Sequence, residues 1–295
     1  MAIGALFLVV LSAFLHASWN VAAKGSGAPA PFIFVSDLAG LAILLPVFLF
    51  FRLSDLTPEV WLMVLLTGII HGVYAWSLTL AYETGDLSLV YPISRSTPAF
   101  VPFLAVPFLG ERVSLVGGVG IALVMIGIWM VSTNGKVAGL RLASPELRFA
   151  YLTLAATVAY SLVDKRAMAL LDANPWHGPA PRAVVYYALL SVSYLPFFYL
   201  FSRRRLEAAA VKATARSRPF AIAGVVVAGF VSYTLILQAL RSAPVSYVVA
   251  TRQLSVVFAV GLALFWLRER PSRARMAGAL LTVVGVITIG LAGGA

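Results

Sequence analysis

The chain has no cysteine. Disulfide frameworks, thiolate metal sites and thiol nucleophiles are therefore excluded. Its histidines are His16, His71 and His177, and no HExxH motif occurs, which removes zincin-type metal chemistry. No P-loop, GxGxxG loop or GxSxG elbow is present. Nucleotide-driven work by this chain alone and the commonest serine hydrolases are thus unexpected. A paired-aspartate protease needs two deep aspartates, and Asp37 is the one plainly inside an apolar run. The expectation is no enzyme and no cofactor. Charge is scarce as well: Asp, Glu, Lys and Arg make up 11% of 295 residues, against about a quarter in soluble domains. That excludes an ordinary cytosolic domain and a disordered chain.

What the chain has instead is apolar surface. Hydrophobic residues are 61% of it, and the mean hydropathy is +0.95. A helix needs about 20 apolar residues to cross a bilayer. Ten such runs occur, at roughly 2–23, 31–51, 59–82, 88–109, 113–133, 147–168, 182–201, 219–240, 244–266 and 272–292. Helix-start signals precede several of them: Ala30-Pro31, Thr57-Pro58-Glu59 and Ser144-Pro145-Glu146. The short alternating segments of a transmembrane barrel are missing. The first run lacks a basic start and carries His16, Trp19 and Asn20 in its body, so it reads as a span and not as a cleaved signal.

The net charge of +11 resides mostly in short loops, where it orients spans and does not suggest nucleic acid as a partner. Basic residues crowd the loops after the first, fifth, seventh and ninth runs, notably Arg203, Arg204 and Arg205, and Arg268, Arg270, Arg273 and Arg275. The positive-inside rule places those loops in the cytoplasm and both termini outside. The segment 202–218 reads either as a short basic helix on the membrane surface or as a solvated loop.

A shift of 158 positions aligns the two halves. Glu111 meets Glu269, Arg112 meets Arg270, Gly120 meets Gly278, and Gly127 meets Gly285. Near the start of each half the shift is 141, pairing Lys24 with Lys165. The two halves, 1–135 and 145–293, hold five spans each. An odd number makes the second half enter from the opposite face. The expected fold is therefore an all-α membrane protein of ten transmembrane helices built from two inverted five-helix repeats. In this plan a site lies near the midplane between the halves.

Charges at bilayer depth are costly and usually mark a pathway. Arg95 lies in the fourth run and Arg252 in the ninth. Each sits about 10–12 Å past its span start. They read as fixed cations for a carboxylate, phosphonate or phosphate, or else as structural charges neutralised by Asp37 or a helix-end carbonyl. Pro92, Pro98, Pro102 and Pro107 interrupt the fourth run, which therefore lines protein or water. Ser88, Tyr91, Arg95, Pro98 and Pro102 fall at helical spacing on one face. Polar stripes mark other spans: Ser12, His16, Trp19 and Asn20; Thr67, His71 and Tyr74; and Thr153, Thr157, Tyr160, Ser161 and Asp164, with Tyr233 in the eighth run. His16 and His71 read as hydrogen-bonding partners between helices or as proton carriers. Asp164 and Lys165, near the end of their run, read as interfacial. Gly68 and Gly72, and Gly117, Gly118, Gly120 and Gly127, read as helix-packing positions.

These residues carry a resemblance. With its ten-span duplicated plan, HASWNVAAK at 16–24, YPISRSTP at 91–98, Gly110-Glu111 before the fifth run and Arg268-Glu269-Arg270 before the tenth, the chain resembles the EamA type of the drug/metabolite transporter superfamily. Arg268 stands where that family usually has Gly. The resemblance implies a cavity lined by the first, third, fourth, sixth, eighth and ninth helices, cytoplasmic termini (against the charge count) and transport of small metabolites. YPISRSTP is most similar to a branch associated with phosphonate utilisation. The expected function is a secondary transporter of the cell (inner) membrane for an anionic or zwitterionic metabolite. Arg95 and Arg252 would fix the anion, and Tyr91, His16, Trp19, Asn20, His71, Tyr74, Tyr160 and Tyr233 would line the site. The expected partners are the substrate, membrane lipids and protons as coupling ion, in a monomer or homodimer. A flippase for a lipid-linked sugar or headgroup and a non-transporting membrane subunit are the alternatives.

Overall fold

The computed structural model describes residues 1–24, 29–84, 87–136, 142–265 and 271–292, with the side chains of 19–24, 29, 84, 87, 88, 263 and 265 outside that description. The helices among these residues group into ten rods. In the first half they are α1 (Ile3–Lys24), α2 (Pro29–Leu44), α3 (Pro58–Thr84), the broken rod α4 (Leu87–Ser94) and α5 (Thr97–Leu109), and α6 (Leu115–Thr133). In the second half they are α7 (Arg148–Ala173), α8 (Arg182–Ser202), α10 (Pro219–Ser242), the broken rod α11 (Val245–Arg252) and α12 (Leu254–Phe265), and α13 (Arg273–Ala292). A short surface helix, α9 (Ala208–Ser217), forms within the basic 202–218 segment.

Seven rods are long and apolar enough to cross a membrane on their own, and α1 adds a shorter apolar stretch, Ile3–Ser18. The two remaining rods fall short for local reasons. One breaks at Arg95 and Ser96, and α7 carries Arg148, Asp164, Lys165, Arg166 and Asp172. Ser94, Ser96 and Thr97 at the break and Asp164 in α7 are buried, which is where costly groups belong in a bilayer.

The chain direction of the halves can be read from their glycines. Gly120 faces the Gly285 carbonyl and Gly127 faces the Gly278 carbonyl, so a Cβ on either would stand 2.8 or 2.6 Å from that oxygen. Numbers rise along α6 as they fall along α13. The fifth helices of the two halves therefore run antiparallel, as inverted repeats require. The helix contacts repeat this exchange. The first helix of each half packs on the third and fourth helices of the other half: α1 on α10 and α12, α7 on α3 and α5. Gly68 and Gly72 perform the same service on α3, meeting Ser193 and Phe197 of α8. Small residues drive such close crossings because lipid supplies no hydrophobic force between helices. Gly118 has open space around it and is not a packing position.

Outside the spans, the segment after α2 is pinned to the segment before α8. The buried Asp55 carboxylate accepts from the His177 backbone N–H at 2.9 Å and from its ring Nδ1 at 2.6 Å. The His177 side-chain hydrogen bond is the main cause that holds this carboxyl below the ordinary aspartate value of 3.8. A group with a depressed folded value stabilises fully above its unfolded value and loses that effect as pH falls through the folded one.

Two measurements check these contacts. Gly127→Val places a side chain against the α13 backbone and is expected to lower the melting temperature in detergent by roughly 5 °C, whereas Gly118→Ala leaves it unchanged. Asp55→Asn is expected to lower the melting temperature at neutral pH. That deficit relative to wild type closes only in acid below the ordinary aspartate range.

Candidate functional site

Both broken rods break at the same place in the repeat. Arg95 and Gln253, each at its break, are related by the 158-residue shift. In the first half the cause is visible in sequence, because Pro98 restricts Thr97 and removes a backbone donor. The Ser96 N–H turns to the Ile93 carbonyl at 3.0 Å. The Pro92 carbonyl left behind accepts from the Ser96 hydroxyl at 2.7 Å. In the second half no proline is involved, and the Gln253 N–H turns back to Ala250 at 3.1 Å. The break also cuts the face expected to run from Ser88 to Pro102, since α4 ends at Ser94 and α5 starts a new axis at Thr97.

The two breaks bring both buried arginines to one histidine. Arg95 Nη2 lies 3.3 Å from His16 Nε2, and Arg252 Nη2 lies 3.4 Å from His16 Nδ1. His16 itself is buried. A neutral imidazole offers one lone pair, while guanidinium nitrogens only donate. Of the two contacts, only one is a hydrogen bond; the other sets donor against donor. Each guanidinium also lies over a tyrosine ring, Arg95 over Tyr91 at 5.4 Å and Arg252 over Tyr233 at 5.5 Å. Among the described residues neither arginine pairs with a carboxylate. Asp37, the alternative partner, is held instead by the Tyr194 hydroxyl at 2.8 Å. Unmet hydrogen-bonding capacity collects at the same two breaks. Buried polar atoms without a partner include Ser94 Oγ, Thr97 Oγ1, Thr251 Oγ1, Arg252 Nε, Gln253 Oε1 and Ser255 Oγ.

From Arg252 the polar surface continues to a second cluster. Tyr233 meets His71 Nε2 at 3.0 Å. His71 stacks on Tyr160 at 4.1 Å, and Tyr160 meets Tyr74 edge-on at 5.6 Å. Arg95, Arg252, Tyr91, His16, His71, Tyr74, Tyr160 and Tyr233 thus form one continuous chain of contacts. Trp19 and Asn20 lie outside the residues whose side chains are described. A small cavity of about 10 Å³, room for about one water, is lined by Tyr160, Asp164, Tyr233 and Arg252 among others.

Asp164 is not interfacial. α7 continues to Ala173, which places Asp164 well inside the helix, with 1% of its surface exposed. Its carboxylate accepts from Thr67 Oγ1 at 2.7 Å, from Tyr186 at 2.8 Å and from Tyr233. Lys165 is also occupied, capping the carbonyls of Leu240 and Ala243 at the end of α10. The tyrosines of α8 escaped the sequence reading. Tyr186 and Tyr194 are eight residues apart in an apolar helix and share a face, which was the available signal.

The α5–α6 corner fixes α11, the helix that carries Arg252. The Glu111 carboxylate caps its N-terminus, accepting from Val245 N, from Ser246 N at 3.2 Å and from Ser246 Oγ at 2.8 Å. An anion there satisfies orphan donors and complements the helix dipole. The repeat mate, Glu269, lies outside the described residues.

Comparison with known proteins agrees with this architecture. The model of the EamA-like transporter family matches residues 3–133 and again 147–291. The chain belongs to the EamA-like transporter family and is a multi-pass membrane transporter of the drug/metabolite superfamily. A solved structure described only as "Crystal structure of protein" shares its fold, with a TM-score of 0.71 over 97% of each chain at 15% identity. No curated protein matches it.

Glu111→Ala leaves the start of α11 uncapped, at a cost of about 1 kcal/mol. Hydrogen exchange is expected to quicken at 245–252 while the α13 amides keep their protection.

Proposed function

We propose that the protein is a secondary transporter that carries a small anionic or zwitterionic metabolite, of the amino acid or phosphonate class, across the cell membrane by alternating access. The observation that carries this reading is the pair of guanidiniums competing for a single imidazole lone pair. An anion placed between them gives each a charge-assisted acceptor, and a phosphonate or carboxylate offers two or three oxygens to a planar guanidinium. The unpartnered hydroxyls and the Gln253 amide around the breaks suit the remaining polar groups of a zwitterion. The tyrosine rings suit a small organic body. Because the arginines come from rods in opposite halves, an anion held by both ties the halves together. Rocking of one half against the other then exposes the site to either side.

The flippase is the second reading, favoured by one feature. An apolar groove of about 450 Å³ runs along α1 and α10, lined by Leu15, Ala223, Gly224, Val227, Ala228 and Val231. A lipid tail needs such a surface. The groove is apolar throughout and lies on the outer flank, whereas the arginines meet inside, so the small metabolite is preferred.

Uptake into proteoliposomes separates these readings. Labelled 2-aminoethylphosphonate or an acidic amino acid is expected to enter, and a cationic amine of equal size is not. Arg95→Gln and Arg252→Gln each remove a charge-assisted contact of about 2 kcal/mol. Each is expected to lower uptake at limiting substrate roughly 30-fold. Full uptake by both variants contradicts the assignment, and scrambling of a lipid-linked sugar without uptake of the small anions selects the flippase.

A further inference from the structure

Resting on that transport reading, we infer that His71, Thr67, Tyr233 and Asp164 form a proton-binding ring that couples substrate movement to a proton. The argument is one of donor and acceptor counting. Thr67 Oγ1 donates its one proton to Asp164 Oδ1 at 2.7 Å, and the Tyr233 hydroxyl donates its one proton to Asp164 Oδ2. Having spent those protons, both oxygens are acceptors toward the imidazole. Nδ1 stands 3.0 Å from Thr67 Oγ1 and 2.9 Å from the Thr67 carbonyl. Nε2 stands 3.0 Å from the Tyr233 oxygen. Both ring nitrogens therefore face acceptors, and an imidazole satisfies both only when it carries two protons.

The closed circuit lets that proton move without breaking a contact. In one arrangement His71 is an imidazolium and Asp164 a carboxylate. In the other, the Nε2–H bond breaks as its proton passes to the Tyr233 oxygen, and the tyrosine's own proton passes to Asp164 Oδ2. His71 and Asp164 are then both neutral, with the His71–Tyr233 and Tyr233–Asp164 hydrogen bonds reversed and the two Thr67 contacts unchanged. Removing one proton altogether leaves an ionised Asp164 beside a neutral imidazole. One ring nitrogen then faces an oxygen with no hydrogen between them. The ring is complete with one proton and frustrated without it.

The groups facing this ring come from five helices. They are Tyr74 on α3, Tyr160 stacked on His71 from α7, and Tyr186, Tyr187 and Tyr194 on α8, with Asp37 of α2 behind Tyr194. Arg252 on α11 lies over the Tyr233 ring. Tyr233 therefore touches both the ring and an arginine of the proposed anion site. The two share the cavity lined by Tyr160, Asp164, Tyr233 and Arg252. Through that link an anion bound at Arg252 favours the proton, and by reciprocity the proton favours the anion. Both ligands bound together mean movement in the same direction, symport. Among the described residues the matching α1–α10 contact is a pair of serines, Ser12 and Ser232.

Two measurements test this. In proteoliposomes, an inside-alkaline gradient of one pH unit is expected to accumulate 2-aminoethylphosphonate up to about tenfold. In His71→Gln and in Tyr233→Phe, the ratio of gradient-driven uptake to exchange at equal pH is expected to fall towards one. Exchange in the wild type that ignores the gradient, or accumulation against a reversed gradient, overturns the coupling. If the wild type shows no exchange of this probe, the transport reading fails for that substrate and the ring is tested directly. Nitrogen NMR of histidine-labelled protein in nanodiscs, assigned by His71→Gln, is expected to show His71 exchanging one proton as pH is varied, with the midpoint displaced in Tyr233→Phe. A His71 signal that stays in one protonation state throughout, or a midpoint unmoved in Tyr233→Phe, overturns the ring.

Discussion

The architecture turns on a shortage of acceptors. Arg95 and Arg252 reach the same imidazole from opposite halves, and His16 has one lone pair to give. In water this would cost little. In a bilayer a buried charge without a partner is costly, and an unmet donor loses its solvation with no return. Around this point the helices themselves are broken, and their freed polar groups face the same place. An interior arranged for stability alone would put carboxylates beside the arginines or straighten the rods. Among the described residues the chain does neither, and under the proposed function a ligand with negative charge completes the set.

The rest of the fold holds that shortage in position. The glycine-lined crossing of α6 and α13 locks the fifth helices back to back with opposite directions. The exchange of first helices between halves places α1, and with it His16, against the partner half's broken rod. Glu111 of one half holds the start of the rod that carries Arg252 in the other. Each of these contacts crosses between the repeats, so the breaks are held by the geometry of inversion and not by local sequence alone. The polar ring on the α3–α7 flank is an asymmetric addition. Among the described residues its counterpart on α1 and α10 is the Ser12–Ser232 contact, so the two halves share a scaffold while differing in chemistry there.

Much of this was legible in the sequence. The ten rods follow from hydropathy, and the paired Gly120–Gly278 and Gly127–Gly285 positions announced both the duplication and the close crossing. The prolines marked the fourth run as interrupted, but the single face expected from Ser88 to Pro102 missed the break at Arg95. The break at Gln253 was not legible, because no proline or glycine marks it; it follows from the repeat, through its partner at Arg95. Asp164 was misplaced because the apolar run fades near Met168 while the helix continues to Ala173. Hydropathy records where lipid contact ends, and α7 is covered by other helices and does not need it. Tyr186 and Tyr194 were hidden for a related reason: a tyrosine in an apolar span looks alike whether it faces lipid, a core or a carboxylate. That both arginines would converge on His16 was beyond any one-dimensional pattern, since three separate helices meet there.

The most direct test of the account is a double-mutant cycle on anion binding. The dissociation constant of 2-aminoethylphosphonate is measured by calorimetry for the purified wild type, Arg95→Gln, Arg252→Gln and the double variant. If both guanidiniums grip one anion, the two losses are coupled, and the interaction energy lies between about 0.5 and 3 kcal/mol. Losses that add to within about 0.5 kcal/mol, or single variants that bind as the wild type does, would contradict the shared site.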